Sequence, residues 1–81
     1  MRQEEFRMER PGLVKAGDVV KITERANGSL YSYIIEPSVA MSGIFRSFER
    51  IRSKEGIVHE VKDTPRGFQV VVDFDEEPRN K

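Results

Sequence analysis

The chain of 81 residues contains no cysteine and no tryptophan. Without cysteine it can form neither a disulfide framework nor a thiolate zinc site, and a cysteine-free chain is compatible with the cytoplasm. It has no run of 18 apolar residues, and its first residues lack the apolar segment of a signal peptide. We therefore expect a cytoplasmic protein with no membrane partner.

The chain also lacks a net charge, because 14 Lys and Arg residues balance 14 Asp and Glu residues. A dedicated nucleic-acid-binding protein is usually strongly basic, so neutrality argues against that class. Hydrophobic residues make up 37% of the chain, but they are clustered. This clustering predicts one folded domain with polar ends, and a domain of this size buries only about 60–65% of its unfolded surface.

The strongest pattern lies in residues 56–75, where two alternating runs flank a linker at 63–67 that contains Pro65 and Gly67. The first run alternates between two faces, with His59 between Ile57 and Val61. The second run places four apolar side chains on one face, namely Phe68, Val70, Val72 and Phe74. Alternation of this kind, interrupted by turn residues, predicts a β-hairpin with one buried face.

A second hairpin is predicted from strands at 17–24 and 30–36, joined through Asn27 and Gly28. Asn-Gly favours a hairpin because both residues tolerate positive φ. The second strand has apolar groups on both faces, with one face formed by Tyr31, Tyr33 and Ile35 and the other by Leu30 and Ile34. Such a strand is central in its sheet or covered by another layer.

Between the hairpins the apolar period changes. Five residues recur at helical spacing, namely Met41, Ile44, Phe45, Phe48 and Ile51. This spacing favours a helix, whereas Gly43 opposes one. The sequence therefore predicts either a short helix or an irregular crossover near 42–54.

Together these elements predict a mostly β fold, a small SH3-like or similarly curled antiparallel barrel built from two hairpins. Residues 13–75 form the predicted β-rich domain. Residues 1–12 are expected to be a flexible or loosely docked arm, or else a short strand or helical turn that docks Phe6. Residues 76–81 are expected to be a disordered charged tail.

The hairpin at 56–75 also resembles the KOW pattern of small SH3-like barrels in ribosomal proteins and transcription elongation factors. The matching positions are Gly56, Val58, Val61, Val70 and Val72. The Gly-Asp-Val-Val run at 17–20 is similar to the opening that precedes that motif. The resemblance implies an SH3-like barrel and an association with RNA or the ribosome.

Catalytic and metal-binding patterns are missing from the sequence. His59 is the sole histidine, and a lone histidine without a second His or Cys makes no transition-metal site. Its alternation with apolar residues predicts a partly buried core or edge position. The serines have no neighbouring base, and the glycines form no phosphate loop. We therefore expect a non-catalytic binding module without a cofactor.

The most suggestive feature is a basic cluster at 46–54, formed by Arg46, Arg50, Arg52 and Lys54. These side chains are suited to phosphates, and Tyr31 and Tyr33 are candidates to stack on bases, which predicts single-stranded RNA as a partner. A solvated charged face is the simpler interpretation of the cluster. The alternative function is a protein–protein adaptor or a self-associating regulatory domain, which implies a protein partner or a homo-oligomer.

Overall fold

The computed structural model describes residues 1–36 and 40–77. These residues form seven strands and one 3-10 turn at Ser47–Glu49. The strands are β1 (Arg2–Met8), β2 (Val19–Asn27), β3 (Leu30–Ile35), β4 (Ala40–Ser42), β5 (Phe45–Arg46), β6 (Glu55–Thr64) and β7 (Gly67–Phe74).

Six of the strands close an antiparallel barrel in the order β2, β6, β7, β1, β4, β3, and β3 returns to pair with β2. Strand β5 is the additional strand, and it pairs with the first residues of β3 while β4 pairs with the last ones. Closure pairs the two outer strands with each other and so removes exposed sheet edges. The predicted small antiparallel barrel is confirmed.

Both predicted hairpins are present, with shorter loops than the sequence suggested. In β6–β7, Thr64 pairs with Gly67, so the loop contains only two residues and Gly67 has a φ of 123°. In β2–β3, Asn27 pairs with Leu30, which places Asn27 at the end of its strand rather than in the turn. Gly28 then supplies the positive φ, at 64°.

The apolar face predicted for β7 forms part of the core. Val70, Val72 and Phe74 are fully buried, and Phe68 is partly buried against the same cluster. From β3, Tyr33 and Ile35 also enter this core. Phe6 and Phe74 pack with their ring centroids 6.2 Å apart. The alternation rule therefore gave the correct register for this strand.

The N-terminal residues form strand β1, whereas the sequence predicted a flexible or loosely docked arm. Strand β1 pairs with β7 along its whole length, from Arg2 opposite Phe74 to Met8 opposite Phe68. Phe6 and Met8 are buried, as the alternative of a docked strand required. The alternation was obscured because the other two inward positions, Arg2 and Glu4, are charged; these two side chains form a buried ion pair of 2.6 Å.

Residues 42–54 form an irregular crossover, which was one of the two predicted possibilities. Its only helical part is the 3-10 turn at Ser47–Glu49. The helical spacing does not describe a buried face, because Phe45 and Ile51 are buried whereas Ile44 and Phe48 are 69% and 70% exposed. In the tail that was predicted to be disordered, residues 76–81, Glu76 accepts a hydrogen bond from Ser53. Residues 78–81 lie outside the residues that the structure describes.

Strand β6 contains a bulge at His59. Val58 pairs with Val72 and Glu60 with Val71, so His59 has no cross-strand partner. His59 lies on the outer surface with Ile57, and its Nδ1 lies 3.1 Å from Oδ2 of Asp73. The predicted partly buried core or edge position of His59 is therefore wrong. The bulge shifts the alternation, so that Ile57 and His59 face outward whereas Val61 packs against the core.

Gly56 is required by close packing rather than by its backbone angles. A Cβ atom at this position would lie 2.7 Å from the carbonyl oxygen of Asp73 and 2.7 Å from Cγ1 of Val72. The backbone of β7 cannot move away without breaking its pairing with β1. The same glycine is the first position of the KOW-like pattern, so here that position has a packing function.

We predict that Gly56→Ala lowers the free energy of unfolding by about 1–3 kcal/mol, because the added methyl group overpacks a closed site. Gly43→Ala is the matched control, since nothing lies within 4 Å of its Cβ position. That control should change stability by no more than about 0.5 kcal/mol. Urea denaturation of both variants tests the prediction, and equal stabilities would contradict it.

Candidate functional site

A groove with a volume of about 790 Å³ lies between β2 and the crossover. Three of the four predicted basic residues line it, namely Arg50, Arg52 and Lys54, whereas Arg46 does not. Two further lining residues, Lys21 and Phe48, were not predicted as site residues. Lys21 is distant in the sequence from the basic cluster, and Phe48 was assigned to a helical apolar face.

Arg50 is held in the groove by Glu24. Its Nε donates to Oε2 of Glu24 at 2.9 Å and its Nη2 to Oε1 at 2.6 Å. The guanidinium carbon also lies 4.5 Å from the ring centroid of Tyr31. The hydrogen bond from Arg50 holds the pKa of Glu24 below its ordinary value, although burial opposes the shift. Arg50 is therefore committed to contacts within the protein, and it covers one face of the Tyr31 ring, which was predicted to stack on bases.

Tyr33 is buried beneath this pair and is only 1% exposed. Its hydroxyl donates to Oε2 of Glu24 at 2.7 Å and accepts a hydrogen bond from the Ile51 amide at 2.9 Å. Burial, followed by the hydrogen bond to Glu24, raises the pKa of Tyr33 to about 12. Its ring packs edge-on against Phe45 and offers no face to a base. Tyr33 therefore positions the crossover rather than contacting a ligand.

The guanidinium of Arg2 also fixes the crossover. It is buried, and its Nη1 donates to the carbonyl oxygen of Arg50 at 2.8 Å and to Oε1 of Glu76 at 3.0 Å. Its Nη2 donates to the carbonyl oxygen of Glu49. These bonds tie the N-terminal strand to the turn that carries Phe48.

Glu76 holds the groove wall at Arg52 and Ser53. Its Oε2 accepts hydrogen bonds from the amide of Ser53 at 2.7 Å, from the hydroxyl of Ser53 at 2.6 Å and from the amide of Arg52 at 3.1 Å. Burial works to raise the pKa of Glu76, but these bonds and Arg2 outweigh it, so the pKa lies below its ordinary value of 4.5. The backbone at Arg52 and Ser53 is thereby fixed while the Arg52 side chain remains exposed.

Three exposed cations of the groove have no ion-pair partner among residues 1–36 and 40–77, namely Lys21, Arg52 and Lys54. Their backbones are fixed, since the carbonyl of Lys54 accepts from Ile22 at 2.9 Å and that of Lys21 accepts from Glu36 at 2.9 Å. The groove lining contains four basic and two acidic residues. The neutral chain therefore concentrates positive charge on one surface.

Metal-binding and membrane-spanning features are both missing from the part of the chain that the structure describes. No group of three or more His, Cys, Asp or Glu side chains is arranged to hold a metal ion there. No helix within the same residues is long and apolar enough to cross a bilayer.

No protein-family model, curated protein sequence or solved structure matches this chain. The similarity to the KOW pattern therefore concerns only the residues of one hairpin and the run at 17–20. A barrel fold supports many unrelated activities, so the groove is the feature that bears on function.

We predict that Glu76→Gln lowers the free energy of unfolding at pH 7 by about 1.5–3 kcal/mol, because charge-assisted hydrogen bonds are lost. A carboxylate whose pKa is depressed by folding stabilises the protein above its unfolded pKa and loses this effect as the pH falls through the folded pKa. The difference between wild type and variant should therefore shrink below pH 4.5, the ordinary value.

Urea denaturation as a function of pH measures this difference. Glu77→Gln is the matched control, because Glu77 is exposed and makes no hydrogen bond or ion pair with the described residues. Equal pH profiles for the two variants would show that Glu76 does not anchor the wall.

Proposed function

We propose that the protein is a small non-catalytic binding module that holds single-stranded RNA in the groove between β2 and the crossover. The observation that carries the proposal is the segregation of charge. Lys21, Arg52 and Lys54 are exposed on one groove without ion-pair partners among the described residues, although the chain as a whole is neutral. Such a groove follows a phosphate backbone and releases its counterions.

The rigidity of the groove wall supports this function. Arg2, Glu76 and Tyr33 fix the crossover by hydrogen bonds to its backbone. Cations carried on a fixed backbone lose less conformational freedom on binding than cations on a mobile loop. This arrangement supports an RNA-associated protein.

If three cations contact phosphates, we predict a log–log salt slope of about −2 for single-stranded RNA, from roughly 0.7 counterions released per contact. The double variant Arg52→Glu, Lys54→Glu should weaken binding at low salt by at least about tenfold, because two attractions become repulsions. The effect should be the same for different RNA sequences, since phosphate contacts carry no base information. Fluorescence anisotropy with a labelled oligonucleotide over a salt series measures both quantities.

Arg25→Glu is the charge-reversal control, because Arg25 is an exposed β2 residue outside the groove lining. It should leave the affinity nearly unchanged. Wild-type protein that does not bind at low salt, or an equal loss in both variants, would contradict the proposed function.

A second candidate function is self-association or adaptor binding through an apolar surface. Val19 and Ile57 lie opposite each other on β2 and β6 and are 65% and 49% exposed. The face of β3 with Tyr33 and Ile35 does not serve this purpose, because both residues are buried.

For this second function we predict a homo-oligomer whose measured mass falls to that of the monomer in Ile57→Lys, because a charge in an apolar interface is costly to bury. Light scattering over a concentration series measures the mass. Thr23→Lys, at an exposed β2 position away from Val19 and Ile57, is the control. A monomeric wild type at high concentration would exclude self-association.

A further inference from the structure

We infer that Phe48 is a stacking platform for one base of the bound RNA strand. Phe48 is 70% exposed and lines the same groove as Lys21, Arg52 and Lys54. The inference rests on the proposed function and names the residue that contacts the bases. It replaces Tyr31 and Tyr33, which the structure covers or buries.

The exposure of Phe48 follows from the way its turn is held. Phe48 occupies the middle of the 3-10 turn Ser47–Glu49. Across the turn, the Arg46 amide donates to Oε1 of Glu49 at 3.1 Å, and Arg2 binds the Glu49 carbonyl. After the turn, Ile51 is buried and its amide donates to the Tyr33 hydroxyl. With the backbone fixed in this way, the turn holds Phe48 at an exposed position before a ligand arrives.

The surroundings of the ring favour a nucleic-acid base over an apolar ligand. An aromatic ring that lines one groove together with three cations matches the pattern of single-strand binding, in which cations contact phosphates and rings stack on bases. Every base has a π-face, so this contact tolerates sequence. Bases within a duplex are already stacked on each other. The geometry therefore points to a single strand rather than a duplex as the ligand.

The chain has no tryptophan, which allows a direct test of stacking. Phe48→Trp places a single tryptophan at the platform. Its fluorescence should be quenched when an oligouridylate binds, because a stacked base lies against the indole. Ile44→Trp is the matched control, since Ile44 is 69% exposed and lies outside the groove lining. Its fluorescence should not change under the same conditions.

A second measurement separates stacking from charge. An abasic oligonucleotide of the same length carries the same phosphates without bases. We expect the wild-type protein to bind oligouridylate about 5- to 150-fold more tightly than the abasic strand, which is the contribution of one stacked base. In Phe48→Ala this preference should disappear while the salt slope stays the same, and Phe48→Tyr should retain it.

The outcomes distinguish the inference from the proposed function. Tight, salt-dependent binding without quenching in the Phe48→Trp variant, or with an equal affinity for the abasic strand, would overturn the platform and leave the basic groove in place. Failure of every oligonucleotide to bind wild-type protein would overturn both, and would favour a protein partner.

Discussion

The candidate site depends on the contacts of one buried group, the guanidinium of Arg2. It joins three parts of the chain that are distant in sequence, since it pairs with Glu4 on β1, binds the backbone of the crossover and reaches Glu76 after β7. Removing one partner of a buried ion pair typically destabilises a protein by about 3–5 kcal/mol, because the other charge is left buried. No side-chain polar atom buried in the described residues lacks a partner, so this network is satisfied in full.

The barrel and the groove are two consequences of the same arrangement. Closure of the sheet brings β2 next to β6, and this juxtaposition places Lys21 beside the crossover. The crossover itself has little regular structure, so side chains from the barrel must hold it. Glu24 and Tyr33 do so from the hairpin, and Glu76 does so from the C-terminal side. The crossover, which contributes most of the proposed binding groove, is therefore held in its conformation by the rest of the fold.

The sequence predicted the hairpins well because a strand with one buried face must alternate, as Val70, Val72 and Phe74 do. For β1 it gave a docked strand only as the alternative to a loose arm, because two of the inward positions are the charged Arg2 and Glu4. It identified most basic residues of the groove, because a local cluster is visible in sequence. The exposure of Phe48 and the burial of Tyr33 were not predictable, because partners elsewhere in the chain decide them.

The pairing of β1 with β7 also has a consequence for how the molecule forms. Arg2 and Phe74 are neighbours in the sheet, although they lie near opposite ends of the described chain. The two hairpins are local and need only short loops to close. The pairing of β1 with β7 instead closes a loop that contains nearly the whole chain. Topologies dominated by such distant pairings fold on the millisecond-to-second scale. During synthesis, β1 can therefore complete this pairing only after β7 has emerged, and the hydrogen bond from Arg2 to Glu76 cannot form before then.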